Sequence, residues 1–139
     1  MHIQEAVASR HPIRAFLPPP VDGATIRKVL EQAARAPSGG NLQPWHIDVL
    51  AGDALATLKS RMRERLAQGG EPEPTDYDVY PPALRAPWRD RRFQVGEAMY
   101  ARLGIPREDK AARRRWFSRN FDFFGAPLAL FCSVDRTMG

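Results

Sequence analysis

The sequence has little cysteine, little lysine and no long apolar run. Cys132 is the only cysteine among the 139 residues, which excludes an internal disulfide and a metal site built from a cysteine cluster. No apolar stretch approaches the roughly 20 residues that cross a bilayer, and the first residues lack the basic and apolar regions of a secretory signal. We therefore expect a folded protein of the reducing cytoplasm, in which Cys132 is an inert, buried thiol.

Several catalytic and nucleotide-binding motifs are also missing. The sequence contains neither G-x-G-x-x-G nor G-x-x-x-x-G-K-[ST], so a Rossmann or P-loop protein has no support. Ser38 lies outside any G-x-S-x-G motif, which disfavours a serine hydrolase. The three histidines have no close metal-ligand spacing, and we predict no metal site.

Arginine supplies most of the positive charge, with 18 arginines against 3 lysines and a net charge of +5. The excess is local, because residues 85–120 carry 11 basic and 4 acidic side chains. A helix with Arg113–Arg119 is consistent with contact to a phosphate or a nucleic acid. It is also consistent with a solvated face backed by the aromatic residues of positions 116–124, and we favour this second interpretation.

Hydrophobic spacing predicts four or five helices and two strands. Asp22 is a suitable N-cap for a helix whose apolar residues recur at helical spacing, and the β-branched residues Ile47 and Val49 are typical of a strand. Proline, glycine and acidic residues predict an irregular segment over residues 69–87. The expected helices are Ile3–Ser9, a helix from Asp22 to about Pro37, one over Leu55–Leu66, Trp88–Leu103, and one from Pro106 to about Phe124; the expected strands are Trp45–Leu50 and Leu128–Val134.

Two strands are too few for an ordinary sheet. The continuous apolar run Leu128–Val134 is typical of an interior strand that is buried on both faces, and such a strand needs hydrogen-bonding neighbours on both sides. We therefore expect a single domain over residues 1–139 that is truncated on its C-terminal side or completes its sheet with another chain.

The first candidate site is the segment Arg10-His11-Pro12-Ile13-Arg14. In an extended segment, alternate residues point to the same side, so Arg10 and Arg14 are able to clamp one anion, and a phosphate matches the guanidinium fork. The alternative is a solvated basic turn, which composition alone favours.

The second candidate site is the connection Ala36–Trp45. Two adjacent glycines, Gly39 and Gly40, let the backbone approach a ligand closely. Ser38, Asn41 and Gln43 add donors and acceptors of the kind that the edge of a flat heteroaromatic ligand requires. The alternative is a plain connector between a helix and a strand, although ten polar, glycine-rich residues are long for that role.

Taken together, these segments resemble the N-terminal half of the FMN-dependent nitroreductase family. The resemblance lies in Ser9–Phe16 and Ala36–Trp45, with one amphipathic helix between them. Later segments resemble a subgroup of the same family: Arg115–Phe121, Gly125–Pro127 and Asp135–Gly139. The two N-terminal motifs, in this order and at this spacing, are the specific part of the match.

The resemblance implies a homodimeric α+β flavoprotein, with a mixed sheet flanked by helices and FMN at the subunit interface. It places the first motif at the phosphate and ribityl side of FMN, and the second along the isoalloxazine, partly from the neighbouring subunit. The family commonly has serine where this chain has Pro12, which removes a hydroxyl and a backbone N–H. The implied cofactor-binding residues are Arg10, His11, Pro12, Arg14, Pro37, Ser38, Gly39, Asn41 and Gln43.

The reaction implied by the resemblance is ping-pong hydride transfer from NAD(P)H through the flavin to a nitroaromatic, a quinone or a similar acceptor. Because the flavin carries the chemistry, we predict no catalytic side chain. Two other functions remain open at this point: a small basic nucleic-acid-binding module, and a catalytically inactive flavin-fold fragment.

Overall fold

The computed structural model describes residues 2–69 and 78–138. Within these residues, every predicted helix and strand is found near its predicted position. The described end of the predicted irregular segment, residues 78–87, contains bends and turns, whereas residues 70–77 lie outside the described residues. The elements are α1 (Ile3–Ser9), α2 (Gly23–Ala33), β1 (Trp45–Ala51), α3 (Gly52–Gln68), α4 (Trp88–Arg102), α5 (Lys110–Ser118) and β2 (Leu128–Val134), with 3-10 turns at Gly39–Asn41, Arg119–Gly125 and Arg136–Met138.

The chain divides into two compact units. Unit 1 contains Met1–Glu64 and Phe121–Gly139, and unit 2 contains Arg65–Asn120. Unit 1 therefore holds both strands and both candidate segments, while unit 2 holds α4 and α5.

Helix α2 begins where the sequence predicts, because Asp22 caps it. One carboxylate oxygen accepts the backbone N–H of Thr25 at 2.9 Å, and the other accepts the Thr25 hydroxyl at 2.6 Å. These two donors hold the pKa of the Asp22 carboxyl below its usual value of 3.8. The cap thus satisfies a backbone donor that the first helical turn leaves without an intrahelical partner.

We expect Asp22→Ala to lower the midpoint of thermal unfolding at pH 7, since it removes both acceptors. Asp22→Asn is the matched control, because asparagine is also a good N-cap. A depressed pKa contributes stability above the usual value and loses it as the pH falls through the folded-state value. The difference between wild type and Asp22→Ala should therefore shrink below pH 3.8; a difference that grows in acid would contradict the cap.

The two strands form an antiparallel pair, which gives the described chain a two-stranded sheet. Trp45 lies opposite Val134 and Ala51 lies opposite Leu128. The buried apolar residues of the described chain are Leu55 of α3, Ala126 and Ala129. The Lys59 ammonium donates to the Ala126 carbonyl oxygen at 2.8 Å, so α3 is also tied to the turn before β2. These helices and this sheet confirm the α+β class.

The expectation that β2 is buried on both faces is wrong for this chain. Ala129 is buried, but Leu130, Phe131 and Val134 are 46%, 41% and 51% exposed. Cys132 is exposed as well, which corrects the prediction of a buried thiol. The physical reason is that β1 is the one strand paired with β2 among residues 2–69 and 78–138.

Helix α5 is shorter than predicted at both ends. It begins at Lys110 because the Asp109 carboxylate accepts the Ala112 N–H at 2.8 Å. It ends at Ser118, and the 3-10 turn that follows contains Phe123 and Phe124, both at φ 52°. Two consecutive left-handed residues cannot continue a right-handed helix.

In unit 2, the Arg113 guanidinium contacts a carboxylate and an aromatic ring of the same chain. Its Nη1 and Nη2 atoms donate to the two Glu97 carboxylate oxygens at 2.7 and 3.1 Å. Its guanidinium carbon also lies 4.1 Å from the centre of the Tyr100 ring. The hydrogen-bonded guanidinium holds the pKa of Glu97 below its usual value of 4.5.

We expect Glu97→Gln to destabilise the protein at pH 7, because it breaks this bidentate pair. The lowered pKa of Glu97 means that the pair contributes stability above pH 4.5 and loses it as the pH falls through the folded-state value. Thermal melts from pH 7 to pH 3 should show wild type and Glu97→Gln converging in acid. Glu31→Gln, which removes a carboxylate without a salt bridge to any described residue, should leave the profile unchanged.

Candidate functional site

The first candidate segment leaves α1 in an extended conformation. Arg10 follows the helix with φ −68° and ψ 120°, and residues 10–14 are exposed. The His11 ring donates from Nδ1 to the Ser9 carbonyl oxygen at 2.7 Å. Arg10 and Arg14 make no salt bridge to a carboxylate of the described chain. Both guanidinium groups are therefore free to bind an anion.

Arg14 has one aromatic neighbour that the sequence did not indicate. Its guanidinium carbon lies 5.9 Å from the centre of the Phe124 ring, at the outer range of a cation–π contact. Phe124 follows Phe123, whose ring meets that of Phe131 edge-on at 5.9 Å between centroids. The contact between Arg14 and Phe124 was not predicted because it depends on the left-handed turn at Phe123 and Phe124. Nothing in the sequence signals a left-handed phenylalanine.

The second candidate segment is a tight loop closed by Ser38. The Ser38 carbonyl oxygen accepts the Asn41 N–H at 2.9 Å, and the Ser38 hydroxyl oxygen accepts the Gln43 N–H at 2.9 Å. The Gly39 carbonyl oxygen accepts the Leu42 N–H at 3.2 Å. The loop thus uses its own oxygens to hold three of its backbone donors.

Three of the loop residues adopt the left-handed conformation. Gly40, Asn41 and Gln43 have φ of 56°, 54° and 49°. Glycine adopts this region without a steric cost, asparagine tolerates it, and glutamine does so rarely. Non-glycine residues in such conformations cluster at ligand-binding sites, where the surrounding structure fixes them.

The outer side of the loop keeps several polar groups available. The N–H groups of Gly39 and Gly40 donate no hydrogen bond to a described residue, nor do the side-chain amides of Asn41 and Gln43. A methyl group added at Gly39 would meet nothing within 4 Å, and one added at Gly40 would meet only the Leu42 side chain at 4.0 Å. The loop is therefore open to a ligand on its glycine side.

The structure keeps the two candidate segments in one compact unit. No hydrogen bond or salt bridge joins residues 10–14 to residues 37–43 within the described chain. The structure therefore brings Ser38 and Gln43 together, and Arg14 to Phe124, but it does not link the arginine segment directly to the loop.

Residues 2–69 and 78–138 contain no group of three or more His, Cys, Asp or Glu residues placed to hold a metal ion. They also contain no helix of the length and apolarity needed to span a bilayer.

Comparison with known proteins identifies the family. A model of the nitroreductase family matches residues 7–138, which include both candidate segments. This chain belongs to the nitroreductase family. The family resemblance of the two N-terminal motifs is thereby confirmed.

Curated relatives of this nitroreductase-family chain act on nitroaromatic compounds, according to their names. The chain is 39% identical over 132 residues to a 4-nitrobenzoate reductase from Nocardioides sp. (strain LMS-CY), covering 94% of the chain and 53% of the relative. It is 35% identical over 140 residues to a nitrobenzene nitroreductase from Ectopseudomonas oleovorans, covering 98% of the chain and 60% of the relative.

Solved structures give the same fold. The FMN- and NADPH-dependent nitroreductase NfnB from Sphigopyxis sp. strain HMH matches with a TM-score of 0.93 and 46% identity, over 100% of this chain and 62% of that one. The FMN-dependent NfnB from Mycobacterium smegmatis, in complex with NADPH, matches with a TM-score of 0.85 and 30% identity, over 94% of this chain and 58% of that one. The nitroreductase-family chain thus spans less than two thirds of each of these relatives.

Proposed function

We propose that this chain forms the FMN-binding N-terminal part of an oxidoreductase that passes hydride from NAD(P)H to a nitroaromatic, a quinone or a similar acceptor. The observation that carries the proposal is the family match over residues 7–138, because it spans both segments that the resemblance assigns to FMN. The names of the relatives support a nitroaromatic acceptor and NADPH as donor.

The described residues fit the cofactor on chemical grounds. Arg10 and Arg14 are exposed and have no carboxylate partner in the described chain, as a phosphate clamp requires. The loop presents the free N–H groups of Gly39 and Gly40 on an open side, as the polar edge of a flavin ring requires. His11, Pro12 and Pro37 complete the proposed set.

In this proposal, the arginine segment binds the phosphate of FMN and the loop binds its ring. Arg10 and Arg14 hold the phosphate, with His11 and Pro12 beside the ribityl chain. Asn41 and Gln43 donate and accept at the edge of the isoalloxazine, while Pro37, Ser38 and Gly39 lie along the ring. Bound FMN would supply the redox chemistry, accepting a hydride from NAD(P)H and passing it on, so the protein needs no nucleophile of its own.

Dimerisation is part of the proposal. The exposed Leu130 and Val134 of β2 and Val49 of β1, which lies opposite Leu130, give one face of the sheet an apolar surface, and surfaces of this kind in soluble proteins mark association sites. A homodimer would cover such a surface and would bring a loop from one subunit to the arginine segment of the other. We further propose that residues 1–139 belong to one nitroreductase domain located in the cytoplasm, where a lone thiol is stable.

The proposed function is tested by anaerobic reduction and reoxidation of the protein loaded with FMN. NADPH should bleach the flavin absorption, and 4-nitrobenzoate should restore it. Bound flavin that neither NADPH nor NADH bleaches would instead establish the inactive flavin-fold fragment.

The nucleic-acid alternative is tested on the same preparation. One arginine of its candidate helix, Arg113, is held by Glu97 and Tyr100, which leaves that residue poorly placed for a phosphate backbone. A protein that binds no flavin but is retained on DNA in a salt-sensitive way would establish that alternative.

A further inference from the structure

The Ser38 hydroxyl is used inside the loop rather than on its ligand-facing side. Its oxygen accepts the Gln43 N–H at 2.9 Å, five residues along the chain. The Ser38 carbonyl oxygen accepts the Asn41 N–H at the same distance. One residue therefore holds two of the three left-handed positions of the loop.

Burial supports this use of the hydroxyl. Ser38 is half-buried, whereas residues 39–43 are exposed. A serine that contacted a ligand on the glycine side would be expected to share the exposure of Gly39 and Gly40. Its hydroxyl oxygen instead faces the backbone of the loop that it closes.

The conformation at Gln43 shows why the loop needs this bond. Leu42 has φ −67° and ψ −26°, and Gln43 follows with φ 49°. The Leu42 N–H donates to the Gly39 carbonyl oxygen at 3.2 Å, whereas the Gln43 N–H donates to the Ser38 hydroxyl oxygen. The left-handed region is unfavourable for an L-residue such as glutamine, and the bond to Ser38 offsets that cost. Pro44 has no N–H, so Gln43 is the last donor before β1.

We propose that Ser38 is a positioning residue, which fixes Gln43 in its left-handed conformation and thereby sets the ligand-facing edge of the loop. The inference concerns the loop itself, and its effect on flavin binding rests on the proposed function. It changes the role of the Ser38 hydroxyl from a flavin contact, as in the proposed set of ring-lining residues, to a support for the residues that make the contact.

The first test is amide hydrogen exchange at Gln43 in the flavin-free protein. A net hydrogen bond of ordinary strength slows exchange by about three- to tenfold. Ser38→Ala should lose that protection, and Ser38→Thr, which keeps a hydroxyl, should restore it. Ser60→Ala is the matched control, because it removes a hydroxyl bonded to Glu64 outside the loop. Equal exchange at Gln43 in wild type and Ser38→Ala would overturn the inference.

The second test compares FMN with riboflavin, which lacks the phosphate. Ser38→Ala should weaken binding of both by the same factor of about three- to tenfold, since the phosphate clamp is untouched, and Ser38→Thr should restore both. Loss of flavin affinity in Ser38→Ala with the Gln43 amide still protected would overturn the inference in favour of direct contact. If wild type binds no flavin, the proposed function fails, and protection of the Gln43 amide that depends on Ser38 still supports the positioning role.

Discussion

Replacing Arg10 and Arg14 together by alanine is expected to weaken FMN binding by about 100-fold or more, because each charge-assisted hydrogen bond contributes about 1.5–3 kcal/mol. The expectation follows from their geometry, since both are exposed and neither has a carboxylate partner in the described chain. Titration of FMN fluorescence gives the affinity. Riboflavin binding should change little, because the lost contacts are to the phosphate.

The matched control is the double variant Arg27→Ala with Arg35→Ala. It removes the same charge from two exposed arginines of the same unit, outside both candidate segments. It should keep the affinity for FMN within about twofold, since distant surface charges are screened at physiological salt. Equal losses in the two double variants would show a general effect of charge and would refute the phosphate clamp.

Replacing Gly40 by valine is expected to have the second-largest effect. Gly40 has φ 56°, and a left-handed conformation costs an ordinary L-residue about 1–2 kcal/mol, with β-branched residues the least tolerant. The loop should rearrange, the midpoint of thermal unfolding should fall, and FMN affinity should drop by at least about fivefold. Calorimetry without flavin and flavin titration measure the two effects separately.

Gly39→Ala distinguishes an effect on the backbone conformation of the loop from an effect on contact with the ligand. Gly39 lies in the same loop but outside the left-handed region, and a methyl group there meets nothing within 4 Å of this chain. Thermal stability should therefore be unchanged. FMN binding should still weaken, because the methyl group would occupy the side from which a ligand approaches. An unfolding midpoint as low as that of Gly40→Val would show that the account of the loop is wrong.

The positions of the helices and strands were predictable because local signals decide them. Asp22 caps α2 through its own side chain, and the β-branched residues of β1 suit a pleated surface. The ends of α5 were less predictable. Pro106 is compatible with a helix start, but Asp109 provides the cap, and at the other end the left-handed pair Phe123 and Phe124 precedes the left-handed Gly125.

The burial of β2 was mispredicted because an apolar run does not by itself show which neighbours a strand has. The run Leu128–Val134 is as apolar as an interior strand, yet in the described chain most of its side chains are exposed. Composition alone cannot distinguish a strand that pairs on both sides from one that pairs on a single side.

The residue types of the candidate site were predictable, but the hydrogen bonds within the loop were not. Glycines, amides and paired arginines indicate which groups a ligand would meet. The bond from Gln43 to Ser38 depends on a left-handed glutamine, which no propensity favours. The role of Ser38 therefore becomes visible only with the backbone in place.

The most direct test of the central claim is a titration of the purified protein with FMN and with riboflavin, followed by flavin fluorescence. If Arg10 and Arg14 clamp the phosphate while the Ser38–Gln43 loop holds the ring, FMN should saturate at one molecule per chain and bind at least about 100-fold more tightly than riboflavin. No saturable binding, or equal affinity for the two flavins, would contradict the account.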